Sequence, residues 1–359
     1  MIYIIAYAFI IIFAIFLKEF CKFRIEKGRK IFILFSFTIM FLISALRSET
    51  VGVDTGAYTD IYRKIINLNF NNLHEIPETR TVEYPFLIFM KLLTFVNKSP
   101  QLFLIITSLI VCYGFGKFIY DNIEDAYVAT IVFYSMFYFQ SLSIIRQMMS
   151  IAIALNVITK INHKKFPIVL IISSFICHKS IFIFYLILIL YLIRKKGIFI
   201  PLCILGISLL FIVCKTNLIN ILIVFAGYDY YIGSKYMRPS YLGGTIDKIY
   251  LLITVASAII LIYEFYKVKK TRTNKDFLYD TRFYIMMMFI HSALLLIARD
   301  FMVVMRVAMY FSVFVILMIP NIFKLLKRYR IINVPLLTIC LLILSMVNSI
   351  DCQYQFFWN

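Results

Sequence analysis

Long apolar runs separated by short polar segments make up most of the chain. The runs cover residues 1–17, 31–46, 101–117, 127–141, 147–160, 166–193, 198–214, 249–266, 283–298, 301–319 and 332–349. Apolar runs of this length are typical of helices that cross a bilayer, where every backbone N–H and C=O must be bonded within its own segment. The pattern predicts an all-α polytopic integral membrane protein with about 12 transmembrane helices, within a range of roughly 11 to 13.

Two apolar runs have lengths that do not fit a single span. Residues 85–96 (PFLIFMKLLTFV) form a short run that contains Lys91, which suits a re-entrant or interfacial helix better than a span. Residues 166–193 are too many for one helix and contain His178 and Lys179 near their middle. This second run predicts a broken helix, with its break around residue 178.

Composition and charge favour the same class of protein. Hydrophobic residues make up 62% of the sequence and charged residues only 15%, which excludes a soluble globule, a disordered tail and a secreted disulfide scaffold. The net charge of +19 arises from 37 Lys and Arg against 18 Asp and Glu. In a membrane protein such an excess retains loops on the cytoplasmic side, and nucleic-acid-binding motifs are absent, so we expect no nucleic acid as a partner.

The distribution of basic residues predicts the orientation. If 85–96 does not cross and 166–193 crosses twice, six segments on one side hold 23 of the 37 Lys and Arg. These segments are 18–30, 117–126, 160–165, 194–197, 267–282 and 320–330. The positive-inside rule makes that side cytoplasmic and puts both termini outside, together with the large loops 47–100 and 215–248. We therefore expect one integral membrane domain over residues 1–359, with a retained first span and two elaborated loops on one face.

The sequence indicates no site for a metal, a nucleotide or a disulfide. The seven cysteines show no C-x-x-C spacing, which argues against a disulfide framework and against a metal site. The sequence also lacks an Asp-x-Asp or Glu-x-x-His pair, a G-x-x-x-x-G-K-[ST] phosphate loop and a G-x-S-x-G elbow. We expect a chain that uses neither metal nor cofactor and hydrolyses no ATP.

Ionisable residues gather on the predicted outer face. They are Arg47, Asp54, Arg80, Glu83, Arg146, His178, Arg299, Asp300 and Arg306. Ionisable side chains at membrane depth are costly and usually face a cavity, so each is a candidate for function. Because a guanidinium binds phosphate oxygens in pairs and keeps its charge when buried, two or three converging arginines indicate a membrane-bound diphosphate. The natural diphosphates on that face are polyprenyl-diphosphate sugars.

Arg146 and Arg306 are the main candidates for binding the diphosphate. Arg146 stands between two apolar runs that have almost no loop between them, and Arg306 lies well inside the run 301–319. With Arg299 and Asp300, Arg306 forms a cap at the outer end of that run. The structural alternatives are a snorkelling arginine at position 146 and a local Arg–Asp pair that holds the helix end.

His178 and Asp54 are candidates for proton transfer. His178 stands at the predicted helix break, where a neutral imidazole can accept a hydroxyl proton near pH 7, and a structural histidine is the alternative. Asp54 lies between Gly52 and Gly56, which allow tight turns around it. It can bind sugar hydroxyls, act as a base or orient a neighbouring arginine. His291, in the middle of a predicted span, is interpreted as structural.

Five segments of the sequence resemble the EpsG-like group of Wzy-type polysaccharide polymerases. They are RSETVGVDTGAY (47–58), EYP (83–85), SIIRQMMSIAIAL (143–155), the short basic turn NHKK (162–165) and CHKS (177–180), in the order and spacing of that group. The resemblance spans roughly residues 40–190, and beyond it only RVAMYF (306–311) is similar. The family's adjacent E-P pair is separated here into Glu83 and Pro85, so the resemblance gives Glu83 only a weak role.

The resemblance implies a multi-pass polymerase of the bacterial inner membrane, with a GT-C-like fold and an active face on the periplasmic side. Such enzymes transfer a growing glycan from undecaprenyl diphosphate onto a hydroxyl of an incoming lipid-linked repeat unit. Within this class of enzyme, we expect an O-antigen polymerase. We assign the catalytic base to His178, with Asp54 as its competitor. Binding of the diphosphate and sugar is assigned to Arg146, Arg306, Arg47, Gln147, Arg299 and Tyr58. The implied partners are undecaprenyl-diphosphate-linked oligosaccharide repeat units, the lipid bilayer and a chain-length regulator.

Three other functions are alternatives. A flippase for lipid-linked oligosaccharide also needs a basic cavity and about twelve helices, but its charges should follow a path open to both sides between two related halves. The sequence shows no internal repeat and concentrates its charge on the outer face. An O-antigen ligase shares the chemistry but uses another acceptor, and a membrane acyltransferase should carry its histidine on the cytoplasmic side.

Overall fold

The computed structural model describes residues 1–19, 25–80, 82–162, 167–192, 252, 275–298, 303–325, 330–350 and 352–358. Their α-helices are α1 (Ile2–Glu19), α2 (Ile25–Ala45), α3 (Thr55–Ile65), α4 (Tyr84–Val96), α5 (Pro100–Asn122), α6 (Ala126–Phe133), α7 (Phe139–Ser143), α8 (Ile145–Asn162), α9 (Ile168–Cys177), α10 (Phe182–Leu192), α11 (Lys275–Ala298), α12 (Val303–Ser312), α13 (Val315–Leu325) and α14 (Arg330–Ser349). Short 3-10 helices occur at Phe70–Asn72, Pro77–Thr79 and Lys179–Ile181, and a π-helix at Tyr134–Tyr138.

The described part of the chain is all-helical and contains no strand, only an isolated bridge between Arg47 and Phe356. Within it, Glu26–Ala45 and Pro100–Asn122 are long and apolar enough to cross a membrane. A bent pair, Val304–Ser312 with Val315–Ile322, makes a third if it counts as one span. The predicted all-α class is therefore confirmed for the described residues, and these apolar helices are consistent with a membrane protein. The number of twelve spans stays a prediction.

The chain divides into two compact units. The first contains Met1–Phe182 and Arg328–Asn359, and the second contains Ile183–Lys327. In the second unit α11 packs against α12 and α13, and the rings of Phe283 and Phe314 meet edge to face. The buried His291 donates its Nδ1 proton to the carbonyl of Ala308 at 2.8 Å, as expected of a structural histidine. The prediction of a single membrane domain stays a prediction.

Close packing of α5 on α8 sets the frame of the first unit. A Cβ atom added at Gly114 would lie 2.9 Å from the Cβ of Ala152, so the two backbones approach to a distance that only glycine allows. Asn156 reinforces the pair, because its amide donates to the carbonyl of Gly114 at 2.9 Å. At one end Asn122 bonds to Thr159, so α5 and α8 end on the same side and begin together on the opposite side. We call that opposite side the α8-start end.

Both chain termini lie at the α8-start end. The ring of Tyr3 packs against that of Tyr354 at a centroid distance of 5.7 Å. The backbone N–H of Ser48 donates to the carbonyl of Gln355 at 2.8 Å, just after α2 ends. The predicted placement of both termini on the same face as loop 47–100 thus agrees with the structure. Which side of the membrane this face occupies stays a prediction.

The predicted run 127–141 is an uninterrupted helical stretch that contains a π-helical segment. It consists of α6, the π-helix and α7, and the backbone then leaves the helical region at Ile144 (φ −101°, ψ 61°) before α8 begins. The carbonyl of Leu142 at this break accepts a hydrogen bond from Thr55 Oγ1 at 3.0 Å. The break therefore does not leave that carbonyl unsatisfied, and it brings loop 47–55 against the start of α8.

One of the two predicted glycine turns is confirmed and the other is wrong. Gly52 has a φ of 98°, and a Cβ atom there would lie 2.1 Å from the carbonyl oxygen of Leu142. Only glycine fits this turn. Gly56, by contrast, lies in the first turn of α3, a helix that the sequence pattern did not predict because Thr55–Ile65 is polar on one side.

The two apolar runs whose lengths do not fit a single span, 85–96 and 166–193, form short or broken helices. The run 85–96 is α4, whose 13 residues span about 20 Å and are too short for a hydrocarbon core of about 30 Å. Lys91 is buried and donates to the carbonyls of Ile65 and Ile66 at the end of α3, where a cation also complements the helix dipole. The broken helix at residue 178 is confirmed, because α9 ends at Cys177 and His178 is extended.

The boundaries of the helices after residue 192 differ in part from the predicted runs. The run 301–319 contains a break between α12 and α13, with a bend of 40°, so it is not one continuous helix. Helix α11 begins at Lys275 and so extends into the predicted basic loop 267–282. The runs 198–214 and 249–266 and the loop 215–248 lie outside the described residues, apart from a single residue at position 252.

Candidate functional site

Side chains from α3, α4, α8 and the α9 break meet at the α8-start end of the first unit. Arg146 lies in the first turn of α8, immediately after the break at Ile144. Its Nη1 forms an ion pair with Glu83 Oε2, and its Nε donates to the hydroxyl of Tyr58 at 2.6 Å. The guanidinium carbon also lies 5.4 Å from the ring centroid of Tyr58 and 5.7 Å from that of Phe86, within cation–π range.

Glu83 joins Arg146 to His178. Its Oε1 atom lies 3.1 Å from His178 Nδ1 and accepts a hydrogen bond from the backbone N–H of Lys179 at 3.3 Å. One carboxylate therefore uses one oxygen for the arginine and the other for the histidine. The side chains of Arg146, Glu83 and His178 retain only 12%, 15% and 13% of their exposure, so the three groups interact in a site largely shielded from water.

Local structure explains why Glu83 is directed at its neighbours. It occupies the N-cap position of α4 in an extended conformation, and Pro85 follows inside the first turn. The backbone carbonyl of Glu83 accepts from the N–H groups of Phe86 and Leu87, while the carboxylate makes no capping bond to its own helix. The carboxylate is thus left to the groups on α8 and at the helix break. The break itself supplies the extended backbone that presents His178.

The guanidinium of Arg146 keeps hydrogen-bonding capacity for an anion. Arginine has five N–H donors, of which Nε–H is bonded to Tyr58 and one Nη1–H to Glu83. Its Nη2 group makes no hydrogen bond to any of the described residues. A planar fork with three remaining N–H groups can bind two phosphate oxygens, which an ammonium cannot do in the same geometry.

Arg47 lies near the start of α8, in a different environment. Its side chain is 1% exposed and donates to the carbonyl of Ser44 at 2.6 Å and to Ser108 Oγ at 3.2 Å. It lines a small cavity of about 10 Å³, room for about one water molecule, together with Ser141 and Ile145. Burial lowers the pKa of Arg47. The structure therefore places Arg47 against the end of α2, and its predicted contact with substrate stays a prediction.

The other predicted site residues have varied positions. Asp54 is the N-cap residue of α3 and accepts the backbone N–H of Tyr58 with its carbonyl. Gln147, next to Arg146 on α8, is buried. Arg306 lies on α12 in the second unit, and Arg299 lies outside the described residues. The roles assigned to these residues stay predictions.

The structure brings together three of the predicted residues, Arg146, His178 and Tyr58. Glu83 connects Arg146 to His178, and Tyr58 bonds to Arg146. Glu83 carries little weight in the sequence pattern, because Arg146 lies 63 residues from it along the chain and His178 lies 95 residues from it, so the pairing has no local signature. A carboxylate among outer arginines, directly before a short apolar helix, was the available signal. Among the described residues, no group of three or more His, Cys, Asp or Glu side chains could hold a metal ion.

Comparison with known proteins gives one match. The model of the EpsG family matches residues 30–359, well beyond the region 40–190 in which the motifs resemble that family. The matched range includes all the residues of the Arg146–Glu83–His178–Tyr58 cluster. No curated protein and no solved structure matches the chain.

Proposed function

Because this chain belongs to the EpsG family, a family of polysaccharide-polymerase type, we propose that it elongates a lipid-linked glycan by glycosyl transfer. The donor is a growing glycan on undecaprenyl diphosphate, and the acceptor is a hydroxyl of an incoming lipid-linked repeat unit. The reaction takes place on the periplasmic face of the bacterial inner membrane, and an O-antigen polymerase is the form that we favour. The cluster of Arg146, His178, Glu83 and Tyr58 is the single observation that supports this reaction most strongly.

Arg146 is the proposed ligand of the donor diphosphate. As the bond between the anomeric carbon and the phosphate oxygen breaks, its electron pair stays with the diphosphate and negative charge grows there. A fixed guanidinium that is nearly shielded from water stabilises this growing charge more than it stabilises the bound donor. The hydrogen bond from Nε to Tyr58 and the two adjacent rings hold the guanidinium in place before substrate arrives.

His178 is the proposed base. The acceptor hydroxyl forms the new bond to the anomeric carbon and transfers its proton to the imidazole, so one C–O bond forms as another breaks. Glycosyl transfer of this kind passes through an oxocarbenium-like state, and removing the proton from the nucleophile lowers the barrier. His178 and Arg146 both contact Glu83, so the base and the diphosphate ligand lie on either side of one carboxylate.

The proposal is tested by deleting the gene in its source strain and resolving the surface glycolipids on a gel. Complementation with wild type should restore long chains, whereas Arg146→Gln or His178→Gln at equal membrane levels should leave the acceptor with a single repeat unit. The matched controls are Arg63→Gln and His74→Gln. Arg63 is an exposed arginine on α3 that pairs with Glu49 and Asp60, and His74 stacks on Tyr84, so both controls should restore long chains.

Two outcomes would contradict the proposal. An acceptor that carries no repeat unit in the deletion strain would indicate failure of delivery or ligation, and would favour a flippase or an O-antigen ligase. Long chains of normal length with both Arg146→Gln and His178→Gln would show that the cluster does not carry the reaction.

A further inference from the structure

The contact between Glu83 and His178 determines which ring nitrogen carries the proton. Glu83 Oε1 lies 3.1 Å from His178 Nδ1. An ionised carboxylate has only lone pairs to offer, so a hydrogen bond at this distance needs the proton on Nδ1. In the neutral ring the basic lone pair then belongs to Nε2, the nitrogen on the other side of the ring from Glu83.

We propose that Glu83 is a positioning residue, which holds His178 in the Nδ1-protonated form so that Nε2 accepts the proton of the acceptor hydroxyl. This inference rests on the proposed function and assigns a role to a residue with which no substrate atom need make contact. Three donors fix the carboxylate: Arg146 Nη1, His178 Nδ1 and the backbone N–H of Lys179. A carboxylate held in this way orients the imidazole and stabilises the imidazolium that forms when the proton is transferred.

Glu83 also connects donor binding to the base. Before the donor binds, the negative charge of Glu83 is shared between Arg146 and His178. A diphosphate that binds the remaining N–H groups of Arg146 draws positive charge away from the carboxylate, which can then stabilise the imidazolium more fully. The base is therefore most effective when the donor is in place. Among the described residues, the titratable side chains around this contact include Lys179, which is exposed, the buried thiol of Cys177, and Tyr58, whose hydroxyl bonds to Arg146.

Kinetics of the full-length protein in nanodiscs, with an undecaprenyl-diphosphate-linked repeat unit as substrate, test the role in catalysis. In Glu83→Gln the amide can both donate and accept, so the ring is no longer held in one form, and kcat should fall by about 100-fold. The KM for the lipid-linked substrate should not rise, because the change removes a negative charge beside Arg146. Glu83→Asp should recover part of kcat. Glu78→Gln is the matched control, since Glu78 is an exposed glutamate that pairs with Lys64.

Combination of two changes separates positioning from other effects. If Glu83 acts through His178, the double variant Glu83→Gln/His178→Gln should have the kcat of His178→Gln alone. Losses that multiply would show that Glu83 acts independently of His178 and would overturn the proposal. An unchanged kcat in Glu83→Gln, or a raised KM with unchanged kcat, would also overturn it.

Which ring nitrogen of His178 carries the proton can be measured without any enzymatic turnover. The chain has only four histidines, so the 15N spectrum of the histidine-labelled protein is simple, and His178→Gln identifies the signals of His178. At a pH where the ring is neutral, wild type should show a proton on Nδ1, and Glu83→Gln should shift the population toward Nε2–H. A wild-type ring protonated on Nε2 would overturn the positioning role. Because this measurement needs no substrate, it separates failure of this inference from failure of the proposed polymerase reaction.

Discussion

Replacement of Gly52 by alanine should disturb the site although Gly52 is not one of the cluster residues. Gly52 has a φ of 98°, and a Cβ atom at this position would lie 2.1 Å from the carbonyl oxygen of Leu142 and 2.8 Å from Thr55 Oγ1. The loop must therefore move away from the break before α8. Two hydrogen bonds depend on its present position: Thr55 Oγ1 to Leu142 O at 3.0 Å, and the N–H of Val53 to Ser143 Oγ at 3.2 Å.

The expected loss of folding stability in Gly52→Ala follows from these contacts. A positive φ costs an alanine about 1–2 kcal/mol, and each lost hydrogen bond costs about 1 kcal/mol. Gly52→Ala should therefore destabilise the protein by about 3–4 kcal/mol, with the strain concentrated between the loop and α8. Thr55 begins α3, and one turn later Tyr58 bonds to Arg146. A displacement of about 1 Å there is enough to lower activity by about 100-fold.

The assay compares Gly52→Ala with Gly56→Ala in nanodiscs. A Cβ atom at Gly56 would lie 3.7 Å from the carbonyl of Glu49, an ordinary contact, and alanine favours the helix in which Gly56 lies. Thermal unfolding followed by fluorescence should give a lower midpoint for Gly52→Ala and an equal or higher midpoint for Gly56→Ala, and polymer formation should follow the same order. Equal stability and equal activity of the two variants would refute the packing of this loop against the break.

Three further substitutions test other parts of the structure. Tyr58→Phe keeps the ring but leaves the Nε–H of Arg146 without its acceptor, so polymer formation should fall about tenfold in a radiolabelled-glycan assay. Arg146→Lys keeps the charge but loses the planar fork, so kcat/KM should fall at least about tenfold, whereas Arg63→Lys on the exposed face of α3 should match wild type. Gly114→Leu forces side-chain atoms into Ala152 and should destabilise α5–α8 packing by about 1–3 kcal/mol in thermal unfolding. Wild-type behaviour of Tyr58→Phe or Arg146→Lys would contradict the role given to that side chain, and wild-type stability of Gly114→Leu would contradict the close approach of α5 to α8.

The sequence predicted the features that depend on local pattern. The long apolar runs of α2 and α5, the break at His178 and the special turn at Gly52 each have a signal within a few residues. A charged pair inside an apolar run marks a helix break because an uninterrupted helix would carry those charges at membrane depth. The resemblance of five short motifs to one family was likewise local, and the family match over residues 30–359 confirms it.

The features that the sequence did not predict depend on tertiary contacts. Helix α3 lies in a polar loop, where its buried side becomes evident only once it packs against α4 and α5. The contact of the Lys91 ammonium with two carbonyls at the end of α3 also has no local signal, whereas the re-entrant or interfacial placement of 85–96 stays a prediction. The role of Glu83 depends on partners far apart in the sequence, at positions 146 and 178. Such pairings depend on how the helices pack in the folded protein, and the spacing of residues along the sequence does not predict that packing.

Polymerisation by the purified protein is the most direct test of the proposed function. The full-length chain in nanodiscs is incubated with an undecaprenyl-diphosphate-linked repeat unit as the sole substrate, and both the glycan length and the release of undecaprenyl diphosphate are measured. Wild type should produce glycans of two or more repeat units with one undecaprenyl diphosphate released per bond formed, and Arg146→Gln and His178→Gln should produce neither. A wild-type protein that binds the substrate but releases no undecaprenyl diphosphate would contradict the account.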